Sequence, residues 1–209
     1  ASGMIGATLA KVALKEGHEV IAIVRPGSER IDNLPRSERL TLVECNINDY
    51  KKLHGREKCD IFFHLAWDKT SVAGRDDVHI QTKNIEYTLN AVELAHGWGA
   101  SAFIGAGSQA EYGRVNVKLN ENVPVNPESG YGIAKYAAGK LSGIICKQLS
   151  MRFCWARILS VYGELDANHT MMMYLIRTLL DGKVPELTAC EQTWDYIYVD
   201  DAASALLAI

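Results

Sequence analysis

Three side chains in the middle of the sequence have the types and the spacing of a proton-transfer site. Tyr131 and Lys135 are four residues apart, so in a helix they share one face. Ser108 ends an apolar segment roughly twenty residues earlier, where a serine at the end of a buried strand could reach the same point. A phenol with a pKa of about 10 is a weak base, and a nearby ammonium would favour its ionised form. Such a group could exchange a proton with a carbinol or ketone oxygen.

A second pair with the same spacing, Tyr136 and Lys140, competes with the first. Five residues at about 100° each turn it roughly 140° around the helix, so both pairs cannot face one ligand. Tyr131 follows a turn at 127–130 and therefore opens its helix near the strand ends, where open α/β sheets bind ligands. We assign Tyr131 and Lys135 to the site and predict that Tyr136 and Lys140 form a surface or helix-contact pair.

A glycine-rich turn at the start of the chain indicates a phosphate-binding site. Glycines let a phosphate approach the backbone, and a helix N-terminus adds free N–H groups and a positive dipole end. A helix over 4–16 and a strand over 20–24 follow the turn, as in a dinucleotide site. The turn consists of Gly3, Met4, Ile5 and Gly6.

The residue after the strand at 20–24 bears on the choice of dinucleotide. A carboxylate at this place usually binds the ribose 2′-hydroxyl of NAD. The sequence has Arg25 instead, which could pair with a 2′-phosphate. This favours NADP, with NAD possible; an ordinary solvated arginine is the alternative interpretation.

Strand-like and helix-like segments alternate along the chain, which predicts an α/β fold with a doubly wound parallel sheet. A dinucleotide turn should follow a first strand, yet residue 1 already lies in the turn. We therefore expect 1–209 to be one nucleotide-binding domain of a longer protein, without its first strand and a C-terminal substrate domain. Besides the first helix and strand, we predict strands at 40–43, 60–65, 101–105, 152–158 and 195–199, and helices at 77–96, 131–149 and 170–181.

Composition limits the classes of partner. The 209 residues are 48% hydrophobic and carry a net charge of −3, with no basic run that would indicate nucleic acid. No apolar stretch is long enough for a membrane span, and no signal peptide is visible. The five cysteines are scattered without metal-ligand spacing. We predict free thiols, a reducing cytoplasmic location and no metal site.

In this order, the motifs resemble the extended short-chain dehydrogenase/reductase family, whose members are NAD(P)-dependent nucleotide-sugar epimerases, dehydratases and reductases. The resemblance covers essentially the whole chain and implies a Rossmann-like fold. Further matching segments are 17–21, Phe63-His-Leu-Ala66, Asn84, Tyr112-Gly113, Arg157-x-x-x-Val161-Tyr162-Gly163 and 195–201.

The resemblance also implies residue roles. The catalytic residues would be Ser108, Tyr131 and Lys135. The substrate would meet Ser108, Gln109 and Ser160. The cofactor would contact Gly3, Met4, Ile5, Gly6, Arg25, Asn46, Ile47, Leu65, Ala66, Trp67, Asn84, Tyr131, Lys135 and Ile158. Within that set, Asn46 and Ile47 would flank the adenine, Asn84 would support the loops around the nicotinamide, and Lys135 would hold the ribose hydroxyls. The same resemblance points to a homodimer built on the helices at 77–96 and 131–149.

Three departures from the family pattern favour a reductase. Dehydratases carry Asp-Glu after the catalytic Ser or Thr, where this chain has Gln109 and Ala110. Many epimerases carry an arginine for the diphosphate where this chain has Trp194. Epimerases also generally carry an acid where Arg25 stands. We expect reduction of a 4-keto nucleotide sugar, with a 4-epimerase, a non-catalytic NADP sensor and a fragment that binds nothing as alternatives.

Overall fold

Strands and helices alternate in the order that the sequence predicts. The computed structural model describes residues 1–209, apart from the side chain of Val72. One short strand, at 160–162, was not predicted. The strands are β1 Val20–Val24, β2 Leu40–Glu44, β3 Ile61–His64, β4 Ala102–Ser108, β5 Arg152–Ile158, β6 Ser160–Tyr162 and β7 Tyr196–Tyr198. The helices are α1 Met4–Lys15, α2 Val78–Gly97, α3 Gly130–Gln148, α4 Met171–Leu180 and α5 Val199–Leu207.

The sheet pairing confirms the predicted parallel α/β class. Strands β3, β4 and β5 form one sheet in that order, and both neighbouring pairs are parallel. Strands β6 and β7 pair in parallel, and β1 pairs with β2. Parallel neighbours need crossover connections, and helices supply them between β3, β4 and β5.

The chain divides into two compact units, and the larger comprises 23–27 and 42–158. In this unit α2 packs on β3 and α3, while α3 also packs on β4 and β5. The register places Phe103 beside Phe153, and their rings stack with centroids 6.4 Å apart. Phe103 is fully buried and also stacks on Phe62 at 5.9 Å. These rings and the small residues of β4 fix the sheet that carries Ser108 at its end.

The other unit comprises 1–22, 28–41 and 159–209. Here α1 packs against α5 through small and aliphatic side chains. Leu14 and Leu206 are buried, and Ala203 is fully buried. The Arg39 guanidinium donates to the Leu14 carbonyl oxygen at 2.7 Å, adding a second donor to a carbonyl at the end of α1 that also accepts from the Gly17 N–H at 3.2 Å.

Three findings bear on the expected partners, metal site and thiols. Among the described residues, no helix has the length and apolar character that crossing a membrane requires. No group of three or more His, Cys, Asp or Glu side chains in the described part of the chain could hold a metal ion. The five cysteines are free.

Candidate active site

Three parallel strands bring their carboxyl ends to one edge of the central sheet. β3 ends at His64, β4 at Ser108 and β5 at Ile158. The register pairs Ser108 with Ile158, so these two predicted site residues are neighbours. Ligands of open α/β sheets bind outside such strand ends. Leu65, Ala66 and Trp67 follow β3 directly and therefore continue from the same edge.

Tyr131 reaches Ser108 because α3 begins very close to the segment that follows β4. A side-chain Cβ at Gly132 would collide with the Ala110 carbonyl oxygen, so only glycine permits this approach. The Ser129 hydroxyl caps α3 by accepting from the Gly132 N–H at 3.1 Å. The Ser108 side chain lies beside the Tyr131 phenol and acts on the pKa of that phenol as a hydrogen-bonding group. The structure thus brings together two of the three predicted catalytic side chains.

The environment of Tyr131 raises the pKa of its phenol. Burial is the largest cause, and the charge of Glu111 acts in the same direction. The hydrogen bond from Ser108 and the positive charge of Arg75 act against them and lower it. The expected lowering by the neighbouring ammonium is not found in this structure, and the position of Lys135 explains why.

Lys135 is buried beneath Trp67. Its Nζ donates to the Ala106 carbonyl oxygen at 2.7 Å and lies 3.9 Å from the centre of the Trp67 ring. Only 4% of the residue is exposed. Burial lowers the pKa of Lys135 to about 7, although the charge of Glu111 opposes this change. The lysine therefore carries little positive charge at the pH where a tyrosine ionises.

Glu111 lies below the catalytic segment and is fully buried. It accepts hydrogen bonds from the Ser108 N–H at 2.8 Å, the Trp155 indole at 2.9 Å and Arg157 Nε at 3.0 Å. A carboxylate with these three donors holds the backbone of Ser108 in place. With its oxygens engaged by these donors, Glu111 does not stand in for the acid of a dehydratase.

The loop between β3 and α2 is fixed by two buried amides. Asn84, expected to support this loop, accepts from the Asp68 N–H and donates to the Asp68 carbonyl oxygen, both at 2.9 Å. Gln81 accepts from the Trp67 indole at 2.9 Å and donates to the Gly74 carbonyl oxygen at 2.9 Å. Sequence reasoning missed Gln81. The pattern that could have identified Gln81 is its position three residues before Asn84, which places a second polar side chain on the same, otherwise buried, face of the helix.

Arg75 is the second residue that sequence reasoning missed. Its guanidinium carbon lies 5.3 Å from the centre of the Tyr131 ring, and its carbonyl oxygen accepts from the Tyr131 N–H at 2.7 Å. Nothing in the local sequence indicates this contact, because 56 residues separate the two positions. The competing Tyr136 and Lys140 pair instead with each other, the ammonium lying 5.5 Å from the ring centre.

The glycine-rich turn lies in the other unit. A Cβ at Gly6 would collide with the Ala1 carbonyl oxygen, whereas a Cβ at Gly3 would meet no atom within 4 Å. Helix α1, which begins with Met4 and Ile5, has no side-chain hydrogen bond at its N-cap and no acidic residue in its first turn. Its N-terminus therefore suits an anion. In the same unit the Ser160 hydroxyl accepts from the Trp194 indole at 2.6 Å.

The remaining predicted cofactor residues follow β1 and β2. Arg25 comes directly after β1 and is exposed. Asn46 and Ile47 come two and three residues after the end of β2; Asn46 is exposed and Ile47 is half-buried. Gln109 is half-buried beside Ser108. The cofactor and substrate roles proposed for these four residues rest on their positions after β1, β2 and β4.

The chain belongs to the NAD dependent epimerase/dehydratase family, whose model matches residues 1–209. It is therefore an NAD-dependent enzyme of a family that includes nucleotide-sugar epimerases. This confirms the resemblance drawn from the motifs and their order.

Relatives in this family act at sugar carbons. The chain is 25% identical to dTDP-6-deoxy-L-talose 4-dehydrogenase (NAD(+)) of Aggregatibacter actinomycetemcomitans, over 96% of this chain and 74% of that protein. It is 27% identical to UDP-glucose 4-epimerase of Mycolicibacterium smegmatis, over 99% of this chain and 70% of that protein. The crystal structure of UDP-glucose 4-epimerase from Thermotoga maritima with UDP-glucose is similar, with a TM-score of 0.82 and 25% identity, over 99% of this chain and 70% of that one.

Proposed function

We propose that this chain reduces a 4-keto nucleotide sugar with NADPH and that Tyr131 donates the proton. The observation that carries the proposal is the position of the Ser108 side chain beside the Tyr131 phenol at the carboxyl edge of the sheet, where it acts on the pKa of that phenol. No acid or base accompanies them where dehydration would need one, since Gln109 and Ala110 follow Ser108. Glu111, the nearest carboxylate in sequence, is occupied by its three donors.

The side chains divide the chemistry between them. Ser108 would hydrogen-bond the ketone oxygen and hold it beside the phenol. Tyr131, protonated because burial raises its pKa, would give its proton to that oxygen as it becomes an alkoxide. The bound cofactor supplies the hydride. Trp67 and Ile158 would exclude water around the reacting carbon, and Gln109 and Ser160 would contact the sugar.

The residues present suit a dinucleotide. The open space at Gly3 and the uncapped N-terminus of α1 fit a diphosphate, with Gly6 allowing the turn to close. We assign the adenine to Asn46 and Ile47 and a 2′-phosphate to Arg25, which gives the preference for NADP over NAD. Lys135 Nζ uses one N–H for the Ala106 carbonyl oxygen and would hold the ribose hydroxyls with its others.

A nucleotide-sugar 4-epimerase is the second candidate function. The similarity to UDP-glucose 4-epimerases supports it. A single tyrosine suffices for epimerisation as well, provided that the sugar turns over within the site. Trp194, which hydrogen-bonds Ser160 where a diphosphate-binding arginine is common, would leave the diphosphate loosely held. The similarity to a 4-dehydrogenase supports hydride transfer at C4 without epimerisation.

Cofactor stoichiometry separates the two functions. The protein is incubated with a panel of 4-keto nucleotide sugars, and NADPH absorbance is followed alongside product analysis. A reductase consumes one NADPH for each product molecule. An epimerase acting on ordinary nucleotide hexoses shows no net change in absorbance. A product lacking the C6 oxygen, formed from an unmodified nucleotide hexose, would indicate dehydration and contradict the assignment of Gln109 and Ala110.

We also propose a homodimer formed through α2 and α3. The two helices pack against each other, yet α3 leaves several aliphatic side chains exposed and α2 leaves Val78 exposed at its start. Ile133 is 54% exposed and Ile144 is 56% exposed, which is more apolar surface than a helix usually leaves in water. A second copy of the same two helices would cover it.

A further inference from the structure

The loop between β3 and α2 docks on the first turn of α3, the helix that carries Tyr131. The Asp76 carboxylate accepts from the Gly130 N–H at 2.9 Å, and the Arg75 carbonyl oxygen accepts from the Tyr131 N–H at 2.7 Å. An added Cβ at Gly130 would lie 3.0 Å from that carbonyl oxygen, so glycine permits this close approach. A distant part of the chain thus satisfies two of the N–H groups that begin the helix.

The residues next to Tyr131 in sequence supply only part of the capping of α3. The hydroxyl of Ser129, the N-cap residue, accepts from the Gly132 N–H at 3.1 Å. The N–H groups of Gly130 and Tyr131 precede the regular hydrogen bonds of the helix and depend on the β3–α2 loop. Of these two bonds, the one from Asp76 is made by a side chain, so a single substitution can remove it without changing the backbone.

The β3–α2 loop is itself fixed by α2. Gln81 is buried and donates to the Lys69 and Gly74 carbonyl oxygens at 3.1 and 2.9 Å. The same side chain accepts from the Trp67 indole at 2.9 Å. The Trp67 and Tyr131 rings meet edge to face, with their centroids 5.9 Å apart. The docking therefore joins a well-fixed loop to the helix that carries the phenol.

We propose that Asp76 is a positioning residue for Tyr131: its carboxylate holds the β3–α2 loop on the first turn of α3 and thereby fixes the phenol at the end of the sheet. Asp76 acts through the backbone of α3 and not on the reacting atoms. A carboxylate at this place also interacts favourably with the positive end of the helix dipole. The proposal rests on the proposed function of Tyr131 as the proton donor and extends it to a residue outside the catalytic side chains.

Asp77 provides a matched control. Both aspartates are exposed, and Asp77 caps α2 by accepting from the Ile80 N–H at 3.2 Å. Asp76→Ala and Asp77→Ala each remove one exposed capping bond, so both should lower the midpoint of urea unfolding slightly and by similar amounts. Only Asp76→Ala removes a bond to the helix of Tyr131. Asp76→Asn keeps an acceptor oxygen at the same reach and should behave like the wild type.

Amide hydrogen exchange, followed by NMR on the chain without cofactor or substrate, tests the docking. The Gly130 N–H loses its acceptor in Asp76→Ala in any case. The Tyr131 N–H is the informative probe, because the substitution leaves its acceptor, the Arg75 carbonyl oxygen, in the chain. Exchange at Tyr131 should be about tenfold faster in Asp76→Ala. It should be unchanged in Asp77→Ala and in Asp76→Asn.

Single-turnover hydride transfer from NADPH tests the consequence for catalysis. Asp76→Ala should react about tenfold more slowly with unchanged NADPH affinity, less than the roughly 10²-fold that a misplacement of about 1 Å can cost, because Ser129 still caps α3. Asp77→Ala should react at the wild-type rate. Asp76→Asn should restore most of the lost rate.

Three outcomes would overturn the proposal. Unchanged exchange at Tyr131 in Asp76→Ala would show that the docking does not need the carboxylate. Equal acceleration in Asp77→Ala would show a general loss of stability, and a wild-type rate of hydride transfer in Asp76→Ala would show that the docking does not position the phenol. A wild type that reduces no 4-keto nucleotide sugar would contradict the proposed function instead, and the exchange measurement would still decide whether Asp76 holds the loop on α3.

Discussion

Replacing Glu111 with Gln should cost far more stability than an apparently similar change on the surface. The Glu111 carboxylate is fully buried and pairs with Arg157 Nε at 3.0 Å, whose side chain is 23% exposed. It also accepts from the Ser108 N–H and the Trp155 indole. The amide keeps the shape and one acceptor oxygen, but its NH₂ group would face an arginine N–H, and Arg157 would lose its counter-charge.

The size of the effect follows from burial. Removing one partner of a buried ion pair typically costs about 3–5 kcal/mol, because the other charge is left uncompensated. Arg157 keeps some solvent contact and a hydrogen bond to the Tyr112 hydroxyl at 3.1 Å, so we expect the lower end, about 3 kcal/mol. A domain of ordinary stability has only about 5–15 kcal/mol in total. Glu111→Gln should therefore fold but unfold at a clearly lower urea concentration.

The matched control is Glu128→Gln. Glu128 pairs with Arg114 at 2.8 Å, a shorter distance than in the buried pair, but the two side chains are 42% and 92% exposed. Such a pair contributes about 0–1 kcal/mol. Urea unfolding of both variants and the wild type, followed by tryptophan fluorescence, gives the two differences. If the loss in Glu111→Gln were no larger than that in Glu128→Gln, burial would not determine the strength of these pairs and the reasoning would fail.

Three further predictions address charge, cofactor and assembly. Burial lowers the folded-state pKa of Lys135 to about 7, so the unfolded chain binds more protons than the folded one between about pH 7 and 10. The free energy of unfolding of the wild type, measured in urea relative to Lys135→Met, should therefore rise with pH over this range. Lys140→Met is the control, and a wild-type-to-Lys135→Met difference that does not change with pH would contradict the lowered pKa. Arg25→Ala should weaken NADP binding about tenfold with little effect on NAD, by calorimetry; unchanged NADP affinity would remove the case for a 2′-phosphate site. Ile144→Glu should convert the dimer to a monomer by light scattering, whereas Leu187→Glu should not; a monomeric wild type would rule out the interface.

Most of the fold could be predicted because local signals were strong. The helix after Gly3 and the strand at 20–24 follow from apolar runs close to glycine or proline. The strand at 152–158 follows from its apolar run and its place in the alternation of strand-like and helix-like segments. The strand at 160–162 was missed because it is three residues long and begins two residues after β5. A run that short carries no periodicity.

The candidate site was predictable where residues lie close in sequence or at strand ends. Ser108 and Tyr131 meet as expected, because α/β topology fixes where strand ends and helix starts are found. The contacts of Arg75 and Gln81 depend on how the β3–α2 loop folds, and no local pattern encodes that. The low pKa of Lys135 likewise depends on Trp67, 68 residues earlier in the chain.

The most direct test of the account compares Tyr131→Phe with Tyr136→Phe in single-turnover reduction with NADPH. Loss of the proton donor should slow hydride transfer by about 10²–10⁴-fold in Tyr131→Phe, while NADPH affinity changes little because the ring still packs beside Trp67. Tyr136→Phe should react at nearly the wild-type rate. Substantial turnover in Tyr131→Phe, or loss of turnover in Tyr136→Phe alone, would contradict the assignment of Tyr131 as the catalytic acid.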